Sequence, residues 1–360
     1  PVTLLLIGNQ PMPYAWGSES LIQDFAGIGE FGKPAAEVWF GSHPTAPSTT
    51  EGDKNLLSIA PDLGFMVKFL AAAAPLSIQA HPNKDQAKLG FAEENKVGVE
   101  LSDPQRIFKD ENHKPEILIA VSPFRVLSGF RKIEDINHEL SELAAKDARL
   151  EAWQQSAKTL SEHFDYIFQQ LDQQALQALQ EKSDLVAFLA EFYPWDKGLA
   201  VAFLLNEIFL APGEAVFLPA GNLHAYLQGL GVEVMASSDN VIRGGLTPKH
   251  VDQKKLREIT VFESLNPKLG PIPLQHGLDE YELPIEDFNV YRIEPSGQQL
   301  IADVELPSEA ILVCVAGEVT VSNSLTERET LSRGEACYIS SDARLVSFTG
   351  SGTAFLATGN

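Results

Sequence analysis

The chain has 360 residues, of which 44% are apolar and 21% charged, a balance typical of a soluble globular protein with more than one domain. Its 49 acidic and 27 basic side chains give a net charge of −22. Such a surface repels polyanions, which argues against nucleic acid and anionic membranes as partners. A small phosphate ligand would need a local group of Lys and Arg side chains.

The cellular location is predicted from what the sequence lacks. No apolar run approaches the roughly 18–20 residues that a bilayer-spanning helix needs. The first ten residues contain no basic region, so we do not expect a secretory signal there. The two cysteines, Cys314 and Cys337, are too few for a disulfide framework. We therefore expect a cytoplasmic protein.

The first part of the chain, residues 1–130, is rich in Gly and Pro between short apolar runs. These runs predict short strands of a β-sandwich or jelly roll: TLLLI, AEVWFG, FMVKFLAA, PLSIQA and EILIAV. The segment KDQAKLGFAEENK is predicted to form a short helix or loop between two of the strands.

The amino-acid composition changes from Glu134 to about Phe209, where Gly and Pro are almost absent until Pro194. Apolar residues recur at helical spacing, which predicts several amphipathic helices. His138 and His163 lie in this block, and we expect both to be exposed. The stretch LAVAFLLNEIF at the end of the block is predicted to be a buried helix or strand.

The last part of the chain returns to β texture. Gly213–Phe217 resembles Gly334–Tyr338, which suggests two related barrels, but no histidine follows His276. The C-terminal barrel is therefore predicted to lack a metal site. We expect a mainly β protein with a helical domain, divided into a catalytic β domain (1–132 and 208–261), an α-helical domain (133–207) and a C-terminal jelly-roll domain (262–360).

Four residues form a candidate first shell for a divalent metal: Gln79, His81, Glu116 and His224. Each lies at the end of a short apolar run, where a strand would present it to a pocket. Gln79 and His81 are two apart, so both would face one side of a strand. Two imidazoles, one carboxylate and one amide oxygen suit zinc, and they would leave the ion with a net charge of about +1 to stabilise an oxyanion.

The pattern of ligands alone leaves other functions open. The same four groups could hold Fe(II) in a cupin oxygenase. They could also hold a structural metal in a non-catalytic cupin that binds sugars. Basic residues downstream, at Arg243 and Lys249, favour a phosphorylated substrate.

Five segments of the chain resemble the type I mannose-6-phosphate isomerases, also called phosphomannose isomerases. They are AEVWFGSHP (36–44), PLSIQAHPNK (75–84), HKPE (113–116), GEAVFLPAGNLHAYL (213–227) and ASSDNVIRGGLTPK (236–249). Their order and spacing agree with that family, as does the helical block between the third and fourth segments. The resemblance is weak over the C-terminal hundred residues.

This resemblance implies cupin-type β-barrels, one of them catalytic, and a zinc-dependent aldose–ketose isomerase. The implied reaction interconverts mannose 6-phosphate and fructose 6-phosphate, and we expect an enediol or enediolate intermediate. By motif, one zinc ion per chain is held by Gln79, His81, Glu116 and His224. Arg243 matches the arginine to which the family assigns a catalytic role.

Proton transfer and phosphate binding need further residues within the matching segments. The candidates for proton transfer are Lys114, Asp239 and Glu233, with His113 less favoured. The sequence does not decide among them.

The candidates for substrate binding follow from charge and shape. Lys68 and Lys249 are predicted to contact the phosphate, while Trp16, Glu37 and Glu233 are predicted to line the sugar pocket. We expect a small sugar phosphate as the only partner, with the chain acting as a monomer or weak homo-oligomer.

Overall fold

The structure is a computed structural model that describes residues 3–297, 299–324 and 326–360. It is a mainly β fold with a helical block, as the sequence predicts. The strands in chain order are β1 (Leu4–Ile7), β2 (Glu37–Phe40), β3 (Phe65–Ala72), β4 (Ile78–Ala80), β5 (Glu116–Ala120), β6 (Phe124–Phe130), β7 (Leu205–Leu210), β8 (Ala215–Leu218), β9 (His224–Ala236), β10 (Ile242–Gly245), β11 (Lys268–Leu269), β12 (Ile272–Gln275), β13 (Leu278–Tyr281), β14 (Asn289–Ile293), β15 (Ile301–Glu305), β16 (Ala310–Ala316), β17 (Glu318–Asn323), β18 (Arg328–Ser332), β19 (Ala336–Ile339), β20 (Leu345–Gly350) and β21 (Thr353–Thr358).

The helices are concentrated between β6 and β7. Asn83 begins α3 with a capping box, in which its side chain accepts from the backbone of Gln86 and the Gln86 side chain accepts from the backbone of Asn83. The helices in chain order are α1 (Leu21–Ala26), α2 (Leu56–Ile59), α3 (Lys84–Lys96), α4 (Ile133–Lys146), α5 (Glu151–Ser156), α6 (Leu160–Gln169), α7 (Gln173–Lys182), α8 (Asp184–Ala190), α9 (Gly198–Phe203) and α10 (Gln253–Ile259).

The first β region is a ten-stranded sheet with the path β10-β4-β9-β5-β8-β11, to which β2, β3, β6 and β7 attach through β9 and its neighbours. The long strand β9 pairs with β3, β4, β5 and β6, so it lies at the centre of this sheet. Leu118, Val126 and Tyr226 are buried together between its strands. The candidate ligands therefore lie on β9 itself or on, or one residue beyond, two strands that pair with it, β4 and β5.

The second β region combines a seven-stranded sheet, β1-β19-β16-β21-β14-β13-β12, with a four-stranded sheet, β15-β20-β17-β18. Leu312 and Phe348 are among the buried residues between these two sheets. A separate core joins the seven-stranded sheet to the first β region, and it contains Ile117, Val232 and Phe288. The metal-site strands and the C-terminal sheet therefore share buried contacts.

The two β regions each contribute a strand to the other. β1, from the start of the chain, pairs with β19 in the C-terminal sheet, and β11 pairs with β8 in the ten-stranded sheet. The three-part domain division made from the sequence stays a proposal, and its N-terminal boundary lies outside the described residues.

The predicted strands and helices correspond to observed elements. All five apolar runs of the first part contain strands, β1 to β5, and the segment predicted as a helix or loop is α3. The stretch LAVAFLLNEIF contains both α9 and the start of β7. None of the helices in the described part of the chain has the combination of length and apolar character that a membrane crossing requires.

The prediction for one histidine of the helical block is wrong. His138 is exposed, with 77% of its side chain accessible, but His163 is fully buried. His163 accepts a hydrogen bond from Nε1 of Trp153 at 2.9 Å, and its other nitrogen lies 2.8 Å from Oδ1 of Asn137. It occupies the buried face of α6 together with Phe164.

Candidate functional site

The strand register places three of the predicted residues in one row. Gln79 on β4 is the partner of His224 on β9 and of Arg243 on β10. Directly opposed residues on neighbouring strands project to the same face of a sheet. Arg243, Gln79 and His224 therefore line one side of the site, although they are far apart in the sequence.

Glu116 brings a carboxylate to the same place. It is the first residue of β5, and its Oε2 lies 3.2 Å from Nε2 of His81 and 3.5 Å from Nε2 of His224. All three side chains are almost completely buried, and their potential ligand atoms lie within 4.8 Å of one another. The structure thus brings His81, Glu116 and His224 together as one buried group.

The hydrogen bonds of the two histidines show that this group fits a cation. Nδ1 of His81 donates to the carbonyl of Asn240 at 2.7 Å, and Nδ1 of His224 donates to the carbonyl of Asn222 at 2.9 Å. Burial lowers the pKa of His81 to about 4, so its ring is neutral at pH 7. In a neutral imidazole whose Nδ1 donates, Nε2 carries a lone pair, and in both histidines Nε2 faces the carboxylate of Glu116.

Two lone pairs facing a carboxylate repel one another unless a positive charge lies between them. In the described structure Nε2 of His224 is buried and has no hydrogen-bond partner. Buried polar atoms are ordinarily satisfied, so this atom is an exception that a metal ion would explain. Imidazole nitrogens with a carboxylate oxygen are ligands typical of zinc.

Lys114 keeps the candidate carboxylate ligand charged. Its Nζ lies 3.0 Å from Oε1 of Glu116, the oxygen that faces away from the two imidazoles. Burial alone would raise the pKa of Glu116, but the charge on Lys114 is the largest of the causes that hold it well below its usual range. Glu116 is therefore an ionised, acceptor-only group in the interior.

A second buried network lies beside the first and centres on Lys68. Its Nζ is 3.7 Å from Oε2 of Glu37 and 3.5 Å from Oε1 of Glu233, its partner across the β3–β9 pairing. Nε1 of Trp39 donates to Glu37 at 2.8 Å, and the hydroxyl of Tyr226 donates to Glu233 at 2.6 Å. Burial would lower the pKa of Lys68, but the two carboxylates raise it, so the lysine stays protonated.

The pKa of the Glu233 carboxyl is raised. Burial raises the pKa of its carboxyl, and the charge on Glu116 raises it further, while Lys68 and Lys114 lower it. Glu37 and Glu233 were both predicted to line the sugar pocket. The structure brings them together around Lys68.

Three other predicted residues line a single cleft. Arg243 and Lys249 line a cleft of about 640 Å³ together with Asp239, and Lys249 is exposed. The carboxylate of Asp239 lies 2.8 and 3.1 Å from Nε2 of His43, with 54% of its side chain accessible. Lys68 and Lys249, which were predicted to share the phosphate, therefore occupy different environments.

Trp16 is half-buried and packs against the apolar cluster that contains Tyr226. Its ring lies 5.8 Å from that of Tyr14, which is 40% exposed. Trp16 thus takes part in apolar packing, and its role in sugar binding stays a prediction.

Sequence reasoning missed the residue that holds His81 in place. Asn240 is fully buried, and its side chain ties down the loop before β5. Oδ1 accepts from the backbone of Lys109 at 2.7 Å, and Nδ2 donates to the carbonyls of Asp110 and Asn112 at 2.9 and 2.8 Å. Its place in the segment ASSDNVIRGG, three residues before Arg243, was the available signal.

Sequence reasoning also missed Tyr226. It lies two residues after His224 on β9, so the two residues fall on the same side of the strand. This spacing was the available signal.

Comparison with known proteins relates this geometry to a family. Residues 52–133 match the family model described as phosphomannose isomerase type I, catalytic domain. The chain is 34% identical to the mannose-6-phosphate isomerase of Escherichia coli (strain K12), with 96% of each chain covered. It is 32% identical to the human mannose-6-phosphate isomerase, with 85% of this chain and 84% of the human protein covered.

The fold agrees over the full length. A solved structure of a mannose 6-phosphate isomerase bound with zinc and yttrium superposes with a TM-score of 0.90 at 31% identity, and the match covers 100% of both chains. Sequence and fold thus agree at an identity and a coverage that establish common descent. The chain belongs to the type I phosphomannose isomerase family.

Proposed function

We propose that this protein is a zinc-dependent isomerase that interconverts mannose 6-phosphate and fructose 6-phosphate. The observation that carries the proposal is the convergence of His81, Glu116 and His224 in a buried site with lone pairs facing inward. Arg243 lies next to this group through its pairing with Gln79. The related proteins with the same fold are mannose-6-phosphate isomerases.

The proposed zinc ligands are Gln79, His81, Glu116 and His224. One ion per chain is proposed, because the described residues contain one group of three such buried side chains. When bound, zinc supplies a Lewis acid that polarises oxygen atoms of the substrate and stabilises negative charge on them. The two carbonyls that accept from the Nδ1 atoms would fix the orientation of both rings.

The chemistry requires one proton to move between neighbouring carbons. A base removes the proton from C2 of the open-chain aldose, and a proton is delivered to C1, while the hydroxyl proton moves from the oxygen on C2 to the oxygen on C1. The intermediate is an enediol or enediolate, whose oxygen charge needs a cation. Arg243 suits this role because it stays protonated and its planar fork can bind two oxygens at once.

Among the three candidates for proton transfer, the geometry favours Glu233 as the base. Its pKa is raised by burial, so its carboxylate is more basic than an exposed one. Tyr226 fixes one of its oxygens. The ammonium of Lys114 is engaged with Glu116, and Asp239 is more than half exposed and pairs with His43.

The proposed phosphate contact is Lys249, which lines the same cleft as Arg243. Lys68 would have to leave two buried carboxylates in order to bind an anion, so it is the less favoured of the two lysines. This arrangement supplies the local positive charge that an acidic protein needs to bind a phosphorylated sugar.

The test is turnover of mannose 6-phosphate before and after chelation, followed by addition of zinc. We expect fructose 6-phosphate to form, activity to disappear with the metal, and zinc to restore it. Isomerisation in D₂O should also place deuterium on carbon, because an enediol exchanges its proton with the base and solvent. Absence of turnover by a folded, zinc-loaded protein would disprove the proposal.

A further inference from the structure

A contact between the two β regions involves His113, which is three residues before the proposed ligand Glu116. Nε2 of His113 is 2.7 Å from Oδ2 of Asp287, and both side chains are more than four-fifths buried. Asp287 belongs to the connection between β13 and β14 in the C-terminal sheet, whereas His113 belongs to the segment HKPE, which leads into β5. The pair therefore links the C-terminal sheet to the segment that carries Lys114 and Glu116.

The path of that segment explains how the contact could act on the site. A residue that precedes proline is restricted to extended conformations, so Pro115 keeps Lys114 extended. In an extended chain successive side chains point to opposite sides. Lys114 and Glu116 face each other across 3.0 Å on one side, while Ile117 is buried on the other side, in the core shared with the C-terminal sheet.

The remaining attachments of the segment come from a different direction. The hydroxyl of Ser238 donates to Oδ1 of Asp110 at 2.8 Å, and Asn240 binds the carbonyl of Asn112 at 2.8 Å. The backbone of Ala236 donates to the carbonyl of Pro115 at 3.2 Å. These bonds join the loop to the end of β9 and to the connection between β9 and β10, so the Asp287 contact is a separate support that comes from the C-terminal sheet.

The connection that carries Asp287 is itself well anchored. Phe288, the next residue, is fully buried in the same core as Ile117. On its other side, the side chain of Asn360 donates to the carbonyl of Glu286. The residues on both sides of Asp287 are therefore anchored, so the carboxylate that contacts His113 is held in position.

We propose that Asp287 is a positioning residue for the isomerase site. By holding His113 it sets the direction of the HKPE segment, and through that segment the positions of Lys114 and Glu116. The C-terminal sheet, which holds none of the proposed metal ligands, is thereby a working part of the active site. This inference rests on the proposed function, because it assigns a role within that same site.

Three variants test the proposal: Asp287→Ala, Asp287→Asn and Asp279→Asn. The first removes the support, and the second keeps an oxygen that can accept from His113. The third is a matched control in the same hairpin, since Asp279 accepts from Arg292 at 2.6 and 2.8 Å within the C-terminal sheet. We expect Asp287→Ala to lower kcat by roughly tenfold to a hundredfold, the scale of a displacement of about 1 Å at a catalytic group.

The comparison separates positioning from general stability. We expect Asp287→Asn to recover a large part of kcat, and Asp279→Asn to keep the wild-type kcat even if its melting temperature falls. KM should change much less than kcat in Asp287→Ala, because the phosphate-binding residues lie on other segments. Equal kcat in Asp287→Ala and wild type, or an equal loss in the Asp279→Asn control, would overturn the inference.

A second measurement is independent of turnover. Amide hydrogen exchange should become faster within residues 110–118 of Asp287→Ala and remain unchanged there in Asp279→Asn. An inactive wild-type protein would disprove the proposed function, and the exchange comparison would still decide whether Asp287 supports the segment. Unchanged exchange in both variants would overturn the positioning role even if the enzyme is active.

Discussion

The backbone carbonyl of Asn240 accepts a hydrogen bond from Nδ1 of His81 at 2.7 Å. The side chain of Asn240 forms hydrogen bonds with the backbone of the loop before β5. One residue thus orients a proposed zinc ligand and holds the loop that leads to another, Glu116. Partners of this kind fix the tautomer and direction of a ligating imidazole. The network explains why a segment that supplies no ligand matters to the site.

We predict that Asn240→Ala weakens zinc binding by roughly tenfold to a hundredfold, the usual effect of losing an outer partner of a ligand. The carbonyl remains, but it is no longer held by the side-chain bonds to the loop. Competition with a chelator measures the dissociation constant. Asn137→Ala is the control, because Asn137 binds the carbonyl of Lys158 in the helical block. Equal affinities in wild type and Asn240→Ala would contradict the prediction.

We predict that Glu233→Gln lowers kcat by roughly a hundredfold or more, the usual contribution of a positioned base. The amide keeps the shape of the side chain but cannot accept the proton, and zinc content should be unchanged. Incorporation of solvent deuterium should fall in parallel with turnover. Glu207→Gln is the control, since Glu207 pairs with Arg125 away from the metal site. Retention of full kcat by Glu233→Gln would assign the base to another residue.

The elements of this fold were accessible from local pattern, whereas the connections among them were not. Short apolar runs predicted β1 to β5, and the capping pair Asn83 and Gln86 marks the start of α3. The ligand set came from the ends of those runs and from the family resemblance. The pairing of β1 with β19 and the contact of His113 with Asp287 join residues more than 170 positions apart, and no local periodicity encodes them.

The incorrect prediction for His163 has a different cause. Leu160, His163, Phe164 and Ile167 are all buried on one face of α6, and their spacing is that of an amphipathic helix. The helical period indicates a buried position for residue 163, whereas histidine as a residue type is only intermediate in its tendency to be buried. The ring is accommodated because Trp153 and Asn137 satisfy both of its nitrogens.

We predict that His163 makes the protein less stable as the pH falls. Burial lowers its pKa to about 4 from an ordinary 6.5, so the unfolded chain binds a proton more readily than the folded one. The stability that neutral His163 contributes is complete above pH 6.5 and is lost as the pH falls toward 4. At pH 5 the loss of unfolding free energy amounts to roughly 1–2 kcal/mol. Urea unfolding at pH 7 and pH 5 measures the loss.

The variant His163→Gln should reduce the difference in unfolding free energy between the two pH values, because glutamine does not titrate. His138→Gln is the matched control, since His138 is exposed on the neighbouring helix α4. If both variants retain the wild-type pH dependence, another group is responsible for it.

Substitution of Arg243 distinguishes metal binding from catalysis. Arg243 is the cross-strand partner of Gln79, yet a guanidinium carries no lone pair to offer a cation, so it cannot serve as a ligand. We predict that Arg243→Lys keeps zinc at the wild-type level and lowers kcat by roughly a hundredfold, because lysine retains the charge but loses the planar fork that binds two oxygens.

Glu116→Gln makes the converse prediction. It removes the carboxylate that faces both imidazoles, so zinc content and activity should fall together. Metal analysis and steady-state kinetics on the two variants decide the matter. If Arg243→Lys loses zinc in proportion to activity, the guanidinium acts by supporting Gln79 and its strand rather than by stabilising the enediolate.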